Sequence, residues 1–133
     1  MIMKWYIKVL KNYVTFTGRA RRKEFWMFFL FDFLFCIITA ILDILLGTSF
    51  KQTLYGTAVE YYYGWIYVVY SLAVFMPGLA VSVRRLHDIG KSGWYLLISL
   101  IPIVGAIIVL VWDCKEGDKG DNKYGSDPKL EEV

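Results

Sequence analysis

The stretch FWMFFLFDFLFCIITAILDILL, residues 25–46, decides how the rest of this chain reads. It is apolar on every side, with no polar face for a soluble helix to turn toward water. Its length matches a helix that crosses a bilayer, about 17–25 residues. Two further runs, 65–83 and 94–112, have the same character and are flanked by charged or aromatic residues. The composition agrees: 57% of the chain is hydrophobic and 18% aromatic, where soluble domains use about 45–50% apolar residues with glycine counted in. The expected fold class is therefore an all-α membrane protein with three transmembrane helices (25–46, 65–83 and 94–112). An N-terminal amphipathic interfacial helix (1–14) and a polar tail (113–133) complete a single domain, 1–133.

The net charge of +3 hides a strong segregation. Residues 1–23 carry seven basic side chains and no acid, whereas the tail from Asp113 carries four lysines against seven acids. In segment 1–14, Trp5, Tyr6, Val9 and Leu10 recur at helical steps, with Lys4, Lys8 and Lys11 on another face. That pattern suits a helix lying in the interface plane or packed against the inner ends of the spans. Gly18 ends it, and Arg19, Arg21, Arg22 and Lys23 precede the first span, which places this end in the cytoplasm.

Residues 47–64 read as a polar external loop, closed by the interfacial aromatic belt Tyr61-Tyr62-Tyr63-Gly64-Trp65. The second span contains Pro77, a kink signal, and is followed by Arg84-Arg85-Leu86-His87-Asp88 and Lys91, read as a cytoplasmic turn. The run 94–112 has Pro102 and Gly105 near its middle. A full crossing places the acidic tail outside and is the expectation from segment length and tail charge. A re-entrant fold-back at Pro102 would keep the tail in the cytoplasm. The first apolar run starts only at Phe25, too long for a signal-peptide core and without a small-residue exit, so no cleavable signal is expected. Cys36 and Cys114 are expected to be free thiols.

Two sets of residues are candidates for function. The first is the polar cytoplasmic group Arg19, Arg21, Arg22, Lys23, Arg84, Arg85, His87, Asp88 and Lys91. Its cations suit anionic lipid headgroups and their phosphates. Within it, Asp88 can accept from Arg85 at i,i+3, and His87 can bond either. The second is Asp32, an acid seven residues into the first span, where an ionised carboxylate costs about 2.5–3.5 kcal/mol on insertion scales. Arg84, Arg85, the Arg19–Lys23 cluster, a watery cavity or a proton can offset that cost. Asp43 lies near the end of its run, within reach of headgroups. One His and one Asp do not make a catalytic set. No zinc-ligand spacing, phosphate loop or dinucleotide fingerprint occurs, so no cofactor or metal is expected. The basic residues belong to membrane flanks, and no nucleic acid is expected.

Four motifs occur in order: Phe16-x-Gly18-Arg19-Ala20-Arg21-Arg22-Lys23-Glu24-Phe25-Trp26; Arg84-Arg85-Leu86-His87-Asp88-x-Gly90-Lys91-Ser92-Gly93-Trp94; Pro102-x-x-Gly105; and Gly120-x-Asn122-Lys123-Tyr124-Gly125-x-Asp127-Pro128. This set resembles the DUF805 family of small bacterial inner-membrane proteins over essentially the whole chain, with Lys123 where the family often has arginine. The resemblance implies a bacterial inner-membrane location and supplies no reaction. The functional expectation is a non-enzymatic membrane component that binds anionic lipid headgroups, a membrane-protein partner or a second copy of itself. The alternative is a subunit of a small oligomeric channel or transporter using Asp32.

Overall fold

The computed structural model describes residues 2–130, so residue 1 of the expected first helix and residues 131–133 of the tail lie outside it. The elements are α1 (Met3–Lys11), α2 (Arg22–Leu46), β1 (Ser49–Leu54), β2 (Thr57–Gly64), α3 (Trp65–Asp88), a 3-10 helix (Gly93–Leu100) and α4 (Val104–Cys114). They fall into two compact units, Leu30–Phe75 and the pair of segments Met1–Phe29 and Met76–Val133.

Helices α2 and α3, of 25 and 24 residues, are long and apolar enough to cross a bilayer, and only 11% and 17% of their most apolar windows are buried. A soluble core helix would be covered; these expose Phe33, Leu45, Val69 and Leu72 instead. Each helix outruns its apolar stretch. Helix α2 starts at Arg22 with Glu24 in its first turn, and α3 continues through Pro77 to Asp88 with Arg85 and His87 in its last turn. An acid at a helix start and bases at a helix end both complement the macrodipole. The Arg84–Asp88 motif is therefore helical, which corrects its reading as a turn.

The third expected span is also corrected. Residues 94–112 form the 3-10 helix and α4, separated by Ile101–Ile103, and Ile103 has φ 64°. Eight residues at about 2.0 Å and eleven at about 1.5 Å each rise roughly 16 Å, half of a hydrocarbon core of about 30 Å. The arms fold back: Tyr95 and Trp112, from opposite ends of the segment, meet edge to face at 5.7 Å, and Lys91 Nζ lies 4.6 Å from the Trp112 ring centre. Gly105 permits this approach, because a Cβ there would lie 1.8 Å from the Ile98 carbonyl oxygen.

Within Leu30–Phe75, the expected external loop is an antiparallel hairpin, so the fold is mostly rather than wholly helical. Strands β1 and β2 pair from Leu54↔Thr57 outward around Tyr55-Gly56, both at positive φ as a tight hairpin turn requires. Lys51 pairs with Glu60 at 3.5 Å, and Phe50 packs edge to face on Trp65 at 5.2 Å. The carboxylate of Asp43 organises the junction with α3. Its Oδ2 accepts from the backbone N–H of Gly64 and Tyr67, both at 2.9 Å. Its Oδ1 accepts from Ile66 N–H at 3.0 Å and the Thr48 hydroxyl at 2.6 Å. Asp43 is fully buried. It is thus a capping group for α3 supplied by α2, not a side chain reaching for headgroups.

In the other unit, α1 buries Trp5, Tyr6 and Val9, and Tyr6 stacks on Phe28 at 5.3 Å and 15°. Ile2, Met3 and Ile7 stay exposed. The helix therefore packs on protein and keeps an apolar edge besides.

Two substitutions test this fold. Asp43→Ala removes four hydrogen bonds, three of them at the start of α3, and should lower the melting temperature in detergent by about 5 °C or more, with Asp43→Asn less damaging. Gly105→Ala should destabilise comparably, because the added methyl meets backbone rather than a movable side chain; an unchanged melting curve would contradict the fold-back.

Candidate functional site

The polar residues of Met1–Phe29 and Met76–Val133 assemble around two buried carboxylates. Asp88, in the last turn of α3, takes Arg19 Nε on Oδ1 at 3.0 Å and Arg85 Nη1 on Oδ2 at 2.7 Å. The i,i+3 pair with Arg85 follows from helical spacing. The remaining guanidinium donors go to tail carbonyls. Arg19 donates to Asp118 O at 2.5 Å and Gly120 O at 2.6 Å, and Arg85 to Asp113 O at 3.2 Å and to Lys115 O. The second carboxylate, Glu24, takes Arg84 Nη1 on Oε1 at 2.7 Å and has Lys8 Nζ 3.1 Å from Oε2. Arg19, Arg84, Arg85, Asp88 and Glu24 are all buried. Removing one member of such a buried pair leaves an uncompensated charge, typically a loss of about 3–5 kcal/mol.

The tail is ordered by these contacts and not by a core of its own. His87 Nδ1 lies 3.1 Å from Gly18 O and, facing a carbonyl, is the donor; the imidazole stacks on Tyr124 at 3.9 Å and 4°. His87 thus bonds neither Arg85 nor Asp88. Asn122 Nδ2 donates to His87 O at 2.9 Å, and Asp118 N–H to Asp88 O at 2.7 Å. Gly117 lies so close that a Cβ there would be 2.0 Å from Asp88 Oδ2. Hydrogen bonds to Arg19 and His87 hold the tail beside the segments that carry the positive-inside signal.

The other candidates divide. Lys4 Nζ, Lys8 Nζ, the Arg21 guanidinium carbon and Lys23 Nζ lie 5.2, 5.5, 5.3 and 5.7 Å from the ring centre of the buried Trp5. Arg22 donates to Cys114 O at 3.0 Å. Lys91 sits over Tyr95 and Trp112. Asp32 is separate, in the Leu30–Phe75 unit, where Tyr70 Oη donates to it at 3.0 Å. Its partner is a phenol on α3, and Arg84 and Arg85, two of the alternatives the sequence left open, pair with Glu24 and Asp88. Cys36 and Cys114 are free. Among the described residues, no group of three or more His, Cys, Asp or Glu is placed to hold a metal.

Sequence reading missed Glu24, Lys8, Asp113 and the tail carbonyls. Glu24 had a visible signal, as the single acid in a basic run. The carbonyls had none, because every residue carries one. Asp113 is buried, and this desolvation raises its carboxyl from 3.8 to about 6 despite the nearby Arg85 cation.

This architecture defines a small helical integral membrane protein with a buried arginine–carboxylate network. The chain belongs to the DUF805 family, described as a protein of unknown function, whose family model matches residues 13–126. It is 46% identical to inner membrane protein YhaH of Escherichia coli (strain K12) over 129 residues, 97% of this chain and 99% of that one. It is 44% identical to inner membrane protein YhaI of the same organism over 128 residues, 96% and 98% of the two chains. These relatives support a bacterial inner-membrane location. No solved structure matches the chain.

The Asp113 shift has a signed consequence. A carboxyl raised above its unfolded value binds a proton in the folded state that the unfolded chain lacks, so stability is full below about pH 4 and falls as pH rises through about 6. Asp113→Asn should remove this dependence and stabilise the protein at pH 7.5 by on the order of 2 kcal/mol, with no gain near pH 4. Denaturant titrations at the two pH values measure the difference.

Proposed function

We propose that this protein is a non-enzymatic inner-membrane component that holds anionic lipid headgroups at its cytoplasmic face. The observation that carries the reading is the ring of cations around Trp5: Lys4, Lys8, Arg21 and Lys23 all lie within 5.7 Å of one indole centre. That is inside one Debye length at physiological ionic strength, about 8 Å, so their fields add. Lys8 is also paired with Glu24, at 3.1 Å. Each basic residue near an anionic surface contributes about 1 kcal/mol. The exposed apolar residues Met3 and Ile7 on the same helix suit the headgroup boundary.

The lipid contact falls on these cations and not on Arg19, Arg84 and Arg85, which are buried in ion pairs with Asp88 and Glu24. In it, both the N-terminus and the tail are cytoplasmic, α2 and α3 cross the membrane, and residues 94–112 re-enter it. The hydrogen bond from Tyr70 to Asp32 supports a packing role for Asp32, so an ion pathway through it is not adopted.

Reconstitution in nanodiscs of mixed phosphatidylcholine and phosphatidylglycerol, followed by mass spectrometry of the retained lipid, tests the proposal. The triple variant Lys4→Gln/Arg21→Gln/Lys23→Gln should lose phosphatidylglycerol enrichment by about tenfold or more. Enrichment equal to wild type discards the reading.

A further inference from the structure

A second feature points to a site of another kind. Arg84 is 4% exposed, and its guanidinium uses one nitrogen, Nη1, for Glu24. Its Nε and Nη2 are buried and have no hydrogen-bond partner among the described residues. These two nitrogens form the side-on edge of the guanidinium, with two parallel N–H bonds in the geometry that grips an oxyanion bidentately. Leaving such donors unpaired in a buried place is unfavourable, and buried polar groups in native proteins are almost always satisfied.

Arg84 also lines a cavity of about 220 Å³. Lys8, Asn12, Thr15, Thr17 and Arg19 surround it, and Gly125, Ser126 and Pro128 of the tail close it. Three cations, two threonine hydroxyls, one serine hydroxyl and one amide line this space, and the carboxylates paired with those cations, Glu24 and Asp88, lie outside the lining. The lining offers a metal ion no carboxylate ligand, and an apolar ligand would strand the donors. The volume is below the roughly 300–1,000 Å³ of sites for drug-sized molecules, so it suits one compact polar group. A carboxylate offers two acceptor oxygens; a phosphate offers more, distributed tetrahedrally, which fits donors arriving from α1, the 15–19 loop and α3.

We infer that this cavity is a phosphate-binding site, with the Nε/Nη2 edge of Arg84 as its fork and Lys8 as its second charge. The phosphate belongs either to a lipid headgroup or to a soluble species. The inference stands apart from the surface proposed above, because Lys4, Arg21 and Lys23 do not line the cavity.

Equilibrium dialysis of the detergent-solubilised protein against radiolabelled orthophosphate, at constant ionic strength, tests the soluble source. Mass spectrometry of phosphatidylglycerol retained through delipidation tests the headgroup. Arg84→Lys keeps the charge toward Glu24 but removes the fork, and Thr17→Val removes a hydroxyl at an exposed position. Saturable one-to-one binding of orthophosphate that weakens about tenfold in Arg84→Lys, and measurably in Thr17→Val, establishes the site with a soluble ligand. One retained phosphatidylglycerol per chain, lost in the same variants, establishes it with a headgroup. In both cases the Lys4→Gln/Arg21→Gln/Lys23→Gln variant should bind as wild type does, which separates this site from the surface. Should Arg84→Lys fail to fold, Thr15→Val/Thr17→Val decides. Absence of binding in both arms, or binding that none of the cavity variants weakens, overturns the inference.

Discussion

One carboxylate, Asp88, holds together three parts of the chain. Arg19 comes from the segment between α1 and α2, Arg85 from α3 itself, and the carbonyls those guanidiniums also bind come from the tail. Two guanidiniums present more donors than one carboxylate can accept. Backbone oxygens of residues 113, 115, 118 and 120 take up the excess. A tail too polar to fold on hydrophobic burial is therefore ordered by electrostatics, and its path is set by where the arginines need acceptors. Gly117 marks how close that path runs.

The same principle gives the candidate residues different roles from those their charges suggest. Cations exposed in the sequence are not equally exposed in the fold. Arg19, Arg84 and Arg85 are interior residues, and Glu24 and Asp88 keep them there. Lys4, Arg21 and Lys23 lie around the Trp5 ring instead. Arg84 belongs to both worlds: one nitrogen is committed to Glu24, and an entire edge is left for something else.

How much of this was legible beforehand follows from range. Apolar length announced α2 and α3, and i,i+3 spacing announced the Arg85–Asp88 pair, because both are local. The contact of Arg19 with Asp88 spans 69 positions and that of Arg84 with Glu24 spans 60, distances at which charge pattern names many partners. The run 94–112 was ambiguous for a different reason: one crossing and two half-length arms have the same composition. Pro102 and Gly105 signalled a break, but only the close approach of Gly105 to Ile98 distinguishes the two. The hairpin at 49–64 was hidden because its strands are mostly exposed and so lack the buried–exposed alternation that betrays a strand.

Asp43 has a mechanical corollary. Because a side chain of α2 grips the first backbone amides of α3, the two helices of the Leu30–Phe75 unit are keyed in axial register. A piston displacement of even one residue, about 1.5 Å, would release the Gly64, Ile66 and Tyr67 amides from Asp43 together. That pair of helices can tilt or swivel as one strut, but it cannot slide, and any signal passed along it has to travel as rotation.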